Sequence, residues 1–184
     1  MENKKLPPEI MEIIDTGHFA YFCTTDQDNQ PHITPMFFTF DERNNDFYVI
    51  TSSDSKKIKN LKINSKVSLS TDIRDEANPF NNRGLMIEGK AMIEECVKSE
   101  SAVGDEELMP ACEGFQRKYP VLLREAKYPV STDFEKFLED LIRITPDKMV
   151  YWRGPNFITV NFNKQKKPAH NLTSTSVVMP KKGN

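Results

Sequence analysis

The segment TSSDSKKIKNLK, Thr51 to Lys62, gathers side chains suited to holding a small anion. Thr51, Ser52 and Ser55 supply hydroxyls, and Lys56 and Lys57 follow at once. The preceding FYVI has strand character, while Ile58 and Leu61 recur three apart, so the hydroxyls sit where a strand gives way to a helix. A helix start exposes unpaired N–H groups and carries partial positive charge, so cations there are misplaced unless an anion joins them. The local charge is +3, from Lys56, Lys57, Lys59 and Lys62 against Asp54. Hydroxyls, backbone N–H groups and two ammonium groups together suit a phosphate held by charge-assisted hydrogen bonds. The plain alternative is a surface helix capped by Ser53 or Asp54, with its lysines in water. Capping accounts for one or two hydroxyls and leaves the crowding of cations unexplained.

A second candidate is PMFF, Pro35 to Phe38. A proline inside a strand donates nothing to the ladder and belongs at an edge or a bulge, where the nearby backbone can serve a ligand. Met36 and Phe38 share one face, Phe37 and Thr39 the other, so these aromatics suit a core as readily as a cofactor. Ser53-Asp54-Ser55-Lys56 has the Ser-x-x-Lys spacing of penicillin-recognising enzymes, but the companion SDN and KTG motifs are absent. The seven glycines form no phosphate loop, which excludes Rossmann-type dinucleotide binding, and no nucleophile elbow occurs. His18, His32 and His170 share no ligand spacing with one another or with Cys23, Cys96 and Cys112, so no metal is expected. Asn171-Leu172-Thr173 is a glycosylation sequon only in a secreted chain.

These groups need a scaffold. Pro7 and Pro8 open a helix with Ile10, Ile13 and Ile14 on one stripe, and Gly17 is placed to end it. HFAYFCTT (18–25), ITPMFFTF (33–40) and FYVIT (47–51) are strands separated by the turn-rich DQDNQP and DERNND, which describes an antiparallel meander. The lysine helix breaks near Asn64, then VSLST (67–71) and GLMIEGKAMIEE (84–95) follow as strands, with Gly89 a bulge or bend. Residues 99–140 form a helical excursion carrying Phe115, Tyr119, Leu122 and Leu123, then Phe134, Phe137 and Leu138. LIRITPDKMVYW (141–152) closes the sheet, kinked or bulged at Pro146 and Asp147. The expected fold is mainly β with helical additions: six or so antiparallel strands in a closed or partly closed barrel, one domain over 1–162. The tail 163–184 has five lysines and no acid, and reads as a mobile or partner-draped arm.

With 27 acids against 25 bases in 184 residues, the net charge of −2 gives no drive toward nucleic acid, so the anion is local and small. No apolar run approaches 18 residues, and the chain opens on a polar stretch, so no membrane span or signal peptide is expected. Three widely spaced cysteines fit buried free thiols in a reducing compartment, and the expected location is cytoplasmic.

Read in order, CTTDQDNQPHITPMFFTFDERNNDFYVITSSDSKKIKNLKINSKVSLSTD resembles the pyridoxamine 5′-phosphate oxidase-like family of FMN-binding split barrels. NRGLMIEGKA is similar to the family's Arg-Gly-x-x-Ile/Val-x-Gly strand, and ITPDKMVYW to its closing strand; the excursion and tail lie outside the likeness. The resemblance implies a homodimer holding FMN at the subunit interface. It implies that Thr51, Ser52, Ser55, Lys56 and Lys57 bind the phosphate, Lys56 standing where arginine is frequent. Pro35, Met36, Phe37 and Phe38, with Ile50 at the strand end, would lie along the isoalloxazine, while Arg83 and Gly84 approach from the partner subunit and Trp152 sits near the ring. Pyridoxamine oxidases proper carry a C-terminal Arg-Leu-x-Pro pattern, whereas this chain ends in KKGN, so the likeness is to the wider family. The implied function is an FMN-dependent oxidoreductase of flavin- or nitro-reductase type. The alternatives are a non-enzymatic FMN carrier or electron-transfer module, or a deazaflavin-dependent reductase on the same fold.

Overall fold

The computed structural model describes residues 5–95, 109–120 and 140–162, so the expectations for the tail and for most of the excursion lie outside the described residues. Helix α1, Pro8–Thr16, starts on its proline and buries Ile10, Ile13 and Ile14. It ends at Gly17, whose extended backbone donates to the Ile13 carbonyl at 2.9 Å. Glycine is required there by space, because a Cβ would stand 2.6 Å from Thr71 Oγ1.

Strands β1 (Ala20–Thr25), β2 (Pro31–Met36), β3 (Phe38–Asp41) and β4 (Asp46–Thr51) follow. The β1–β2 and β3–β4 turns each place an asparagine, Asn29 and Asn45, in the left-handed region at φ 60°. Asp26 stitches the first turn by accepting from the Asp28 and Gln30 amides at 3.1 and 2.9 Å. After helix α2 (Lys56–Leu61) come β5 (Lys66–Ile73), β6 (Arg83–Glu95), helix α3 (Met109–Lys118), β7 (Asp140–Arg153) and β8 (Asn156–Asn161).

The eight strands among the described residues form one antiparallel sheet in the order β2-β1-β5-β6-β7-β4-β3, with β8 on β7. Its two outer strands, β2 and β3, are consecutive in the chain, with only Phe37 between them. The sheet must therefore curl until its ends meet, which makes a split barrel. Phe22, Phe38, Phe47, Leu69, Ile87, Ile142 and Ile144 fill its inside, joined by the α1 isoleucines.

The bulge foreseen at Gly89 and Pro146 is present. Glu88 pairs with Lys148 and Gly89 with Pro146, leaving Asp147 as the extra residue. A Cβ on Gly89 would collide with the Thr145 carbonyl, so only glycine permits the approach. The far edge of β7 carries β4 along its first half and β8 along its second, and Pro146, lacking an N–H, falls at the change-over.

Two strands depart from expectation. The run 33–40 divides at Phe37 into β2 and β3, and β8 follows Gly154, whose φ of 53° turns the chain back on itself. Within the excursion, α3 sets Ala111, Phe115 and Tyr119 against Tyr48 and Leu141 in a small second core.

Candidate phosphate and ring site

Helix α2 starts on Ser55, whose Oγ accepts from the Ile58 amide at 3.4 Å, so neither Ser53 nor Asp54 is the cap. Thr51 Oγ1 donates to Ser55 Oγ at 3.3 Å, and Ser52 Oγ donates to Asp54 at 2.6 Å. The face of α2 turned inward carries Lys57, Ile58, Asn60 and Leu61. Asn60 sets that rotation: its Nδ2 donates to Thr24 Oγ1 at 2.9 Å, and Asn64 Nδ2 donates to Thr25 Oγ1 at 2.9 Å. Sequence reasoning missed this anchor. Its trace was an asparagine at helical spacing from Lys57 and a strand ending in two threonines.

The consequence falls on Lys57, which is only 8% exposed. No acid among the described residues pairs with it, and burial holds its pKa below the ordinary lysine value. Lys56 points outward, 3.7 Å from Asp26. The Asp26 carboxyl is lowered mainly by the Gln30 amide, with Lys56 a smaller contributor. An exposed pair of this kind leaves Lys56 available to another anion.

The Pro35–Phe38 stretch lies beside this helix start. Phe38 stands opposite Val49, two residues before the end of β4 at Thr51, while Met36, across the break at Phe37, pairs with Ala20 of β1. Met36 and Phe38 point into the core, Pro35 is exposed opposite Tyr21, and Phe37 turns outward. The Phe37 ring lies 4.7 Å from that of Phe19 and 4.9 Å from that of Tyr119. The Phe38 amide donates to the Tyr119 hydroxyl at 3.2 Å, a contact across 81 residues of chain.

Arg83, Gly84 and Trp152 form a separate group. Gly84 pairs with Trp152, and a Cβ there would meet the indole Nε1 at 2.5 Å, so the ring lies flat over the glycine. Arg83 holds Glu12 of α1 at 2.9 Å, while its buried Nε has no partner among the described residues. Thr51 pairs with Asp140, and Asp140 with Glu95, at the opposite end of β6 from Gly84. Gly84 and Glu95 are separated by roughly 35 Å of strand at the usual rise per residue. Within one chain, Phe38 is tied to the 50–57 segment through the β3–β4 pair, while Arg83, Gly84 and Trp152 stand at the other end of β6 from Thr51.

The outer face between carries one uncharged row. Pro35, Tyr21, Ser70, Met86, Val150 and Thr159 stand in one cross-strand row, flanked by exposed Ile33 and Phe157. Among the described residues, no group of three or more His, Cys, Asp or Glu side chains is placed to hold a metal. No described helix is long and apolar enough to cross a membrane.

The family model described as pyridoxamine 5′-phosphate oxidase matches residues 6–153. Among curated proteins, none matches this chain. A conserved hypothetical protein of Mycobacterium tuberculosis shares the fold at TM-score 0.59 and 22% identity, over 84% of this chain and 89% of that one. A structure described as a 5-nitroimidazole antibiotic resistance protein of Bacteroides thetaiotaomicron gives 0.57 at 17% identity, over 80% and 84%. The haem storage protein of Vibrio cholerae gives 0.55 at 18%, over 78% and 91%. The split barrel closed at Phe37, the order of its motifs and a family match spanning the described sheet through Arg153 lead to one assignment: this chain belongs to the pyridoxamine 5′-phosphate oxidase-like family.

Proposed function

We propose that the chain is an FMN-binding oxidoreductase acting as a homodimer, with the cofactor held where the subunits meet. The observation that carries this reading is Lys57, a lysine whose side chain is largely buried, two residues past the Ser55 cap that accepts from Thr51, with no acid among the described residues to balance it. Desolvation along the Lys57 side chain disfavours its charge, and a phosphate at this point supplies an opposite one. The residues present therefore fit the group.

On this reading Thr51, Ser52, Ser55, Lys56 and Lys57 hold the phosphate, and Pro35, Met36, Phe37, Phe38 and Ile50 flank the ring. Arg83, Gly84 and Trp152 of the partner subunit complete the site, which explains why one chain keeps them apart from residues 50–57. The uncharged row from Pro35 to Thr159 supplies a surface for a second copy. Bound flavin supplies hydride or electron transfer, and the protein supplies position and electrostatics. Lys57 neutralises the phosphate, Lys56 steers it, and the Phe37 ring shields the ring site from water.

The test is flavin retention. Lys56→Ala combined with Lys57→Ala leaves a folded chain that purifies without flavin. Full flavin occupancy in that variant refutes the phosphate assignment. Turnover with reduced nicotinamide and an acceptor, above that of free FMN, separates an enzyme from a carrier.

A further inference from the structure

Tyr119 sits where the proposed ring site offers its backbone. Its hydroxyl accepts from the Phe38 amide at 3.2 Å and lies 3.0 Å from the Phe38 carbonyl and 2.7 Å from the His18 carbonyl. One N–H donor and two carbonyl acceptors thus converge on a single oxygen that carries a single proton. All three are at the gap between β2 and β3, where the sheet has no ladder partner to offer. Tyr119 follows the last residue of α3, and the helix is held separately through Lys118, which donates to the Ile14 carbonyl at 2.7 Å.

Whatever replaces the phenol must both accept from Phe38 N–H and donate to a carbonyl, or it leaves buried polar groups unpaired. A carboxylate, such as a haem propionate, accepts only, and would face two carbonyl oxygens. A planar lactam or imide edge, with C=O beside N–H, does both. We propose that Tyr119 is an internal surrogate ligand, and that this gap selects a flat heterocycle with an imide edge, as the pyrimidine side of the isoalloxazine has. This rests on the FMN reading and adds that the chain's own tyrosine competes with the cofactor. Burial pushes the Tyr119 pKa up to about 12, so the competing proton stays in place well into alkaline pH.

The experiment is FMN titration by fluorescence quenching. Tyr119→Phe removes the competitor and leaves the three backbone groups waiting, so FMN binds about tenfold tighter than to the wild type. Against the wild-type chain, FMN methylated at N3 loses the donor and binds about tenfold more weakly than FMN. A folded Tyr119→Phe variant with equal or weaker FMN affinity overturns the proposal. Should that variant not fold, equal binding of FMN and its N3-methyl form by the wild type overturns it alone. A wild-type chain that binds neither flavin removes the FMN reading, and this inference falls with it.

Discussion

Replacing Lys57 with methionine separates a structural lysine from a ligand-holding one, because the two roles predict opposite signs. The side chain is buried beside Ile58 and Leu61 with no acidic partner, so the ligand-free protein bears an unbalanced charge. Methionine keeps the length and removes that partly desolvated charge, which stabilises the ligand-free protein by about 1 kcal/mol. Thermal unfolding registers this as roughly 2–4 °C per kcal/mol for a chain of this size. FMN binding moves the other way: losing one charge-assisted hydrogen bond of about 1.5–3 kcal/mol weakens affinity roughly 10- to 150-fold. The pH dependence follows the direction of the shift. A lysine whose folded pKa lies below its unfolded value of 10.5 sheds its proton sooner when folded, so wild-type stability rises as pH climbs through that interval. Lys57→Met lacks this rise, and saturating FMN, by holding the charged form, flattens it in the wild type. A methionine variant that is less stable without ligand and binds FMN as tightly as the parent refutes the reasoning.

Asn60→Ala cuts the tie between α2 and Thr24 and leaves a buried hydroxyl without its donor, costing about 1–3 kcal/mol by denaturant unfolding and weakening FMN binding in step. Gly84→Ala drives a methyl into the indole of Trp152, the chain's single tryptophan, so the emission maximum shifts and the overpacking costs about 1–3 kcal/mol; an unchanged spectrum contradicts the close stacking. Burial pushes the Lys118 pKa down to about 7, opposed by Asp15, so folding is penalised below that value and recovers as pH rises toward 10.5. The stability of Lys118→Met relative to the wild type is therefore highest at pH 6 and lowest near pH 10, in paired thermal melts.

The elements legible in the sequence are those whose local chemistry agrees with their place in the sheet. Strands β1, β4, β5 and β6 are β-rich runs between Asp- and Asn-rich turns, and the Gly89 and Pro146 signals mark one bulge from both sides. The division at Phe37 was hidden because ITPMFFTF reads as one apolar strand; what splits it is the meeting of two sheet edges, a property of the whole barrel. In the lysine segment the sequence shows the charge but not its depth. Lys57 is drawn inward because Asn60 bonds Thr24, 36 residues away, and periodicity alone does not fix a six-residue helix in rotation. Tyr119 was visible as an apolar helical position, yet its hydroxyl acts on Phe38 across 81 residues, a contact that spacing does not encode.

Native mass spectrometry of the protein purified from cells tests the central claim most directly. The account predicts a dimer carrying two molecules with the mass of FMN, both lost when Lys56 and Lys57 are replaced together by alanine. A monomer, a dimer carrying haem, or a flavin-loaded dimer unaffected by that double substitution contradicts it.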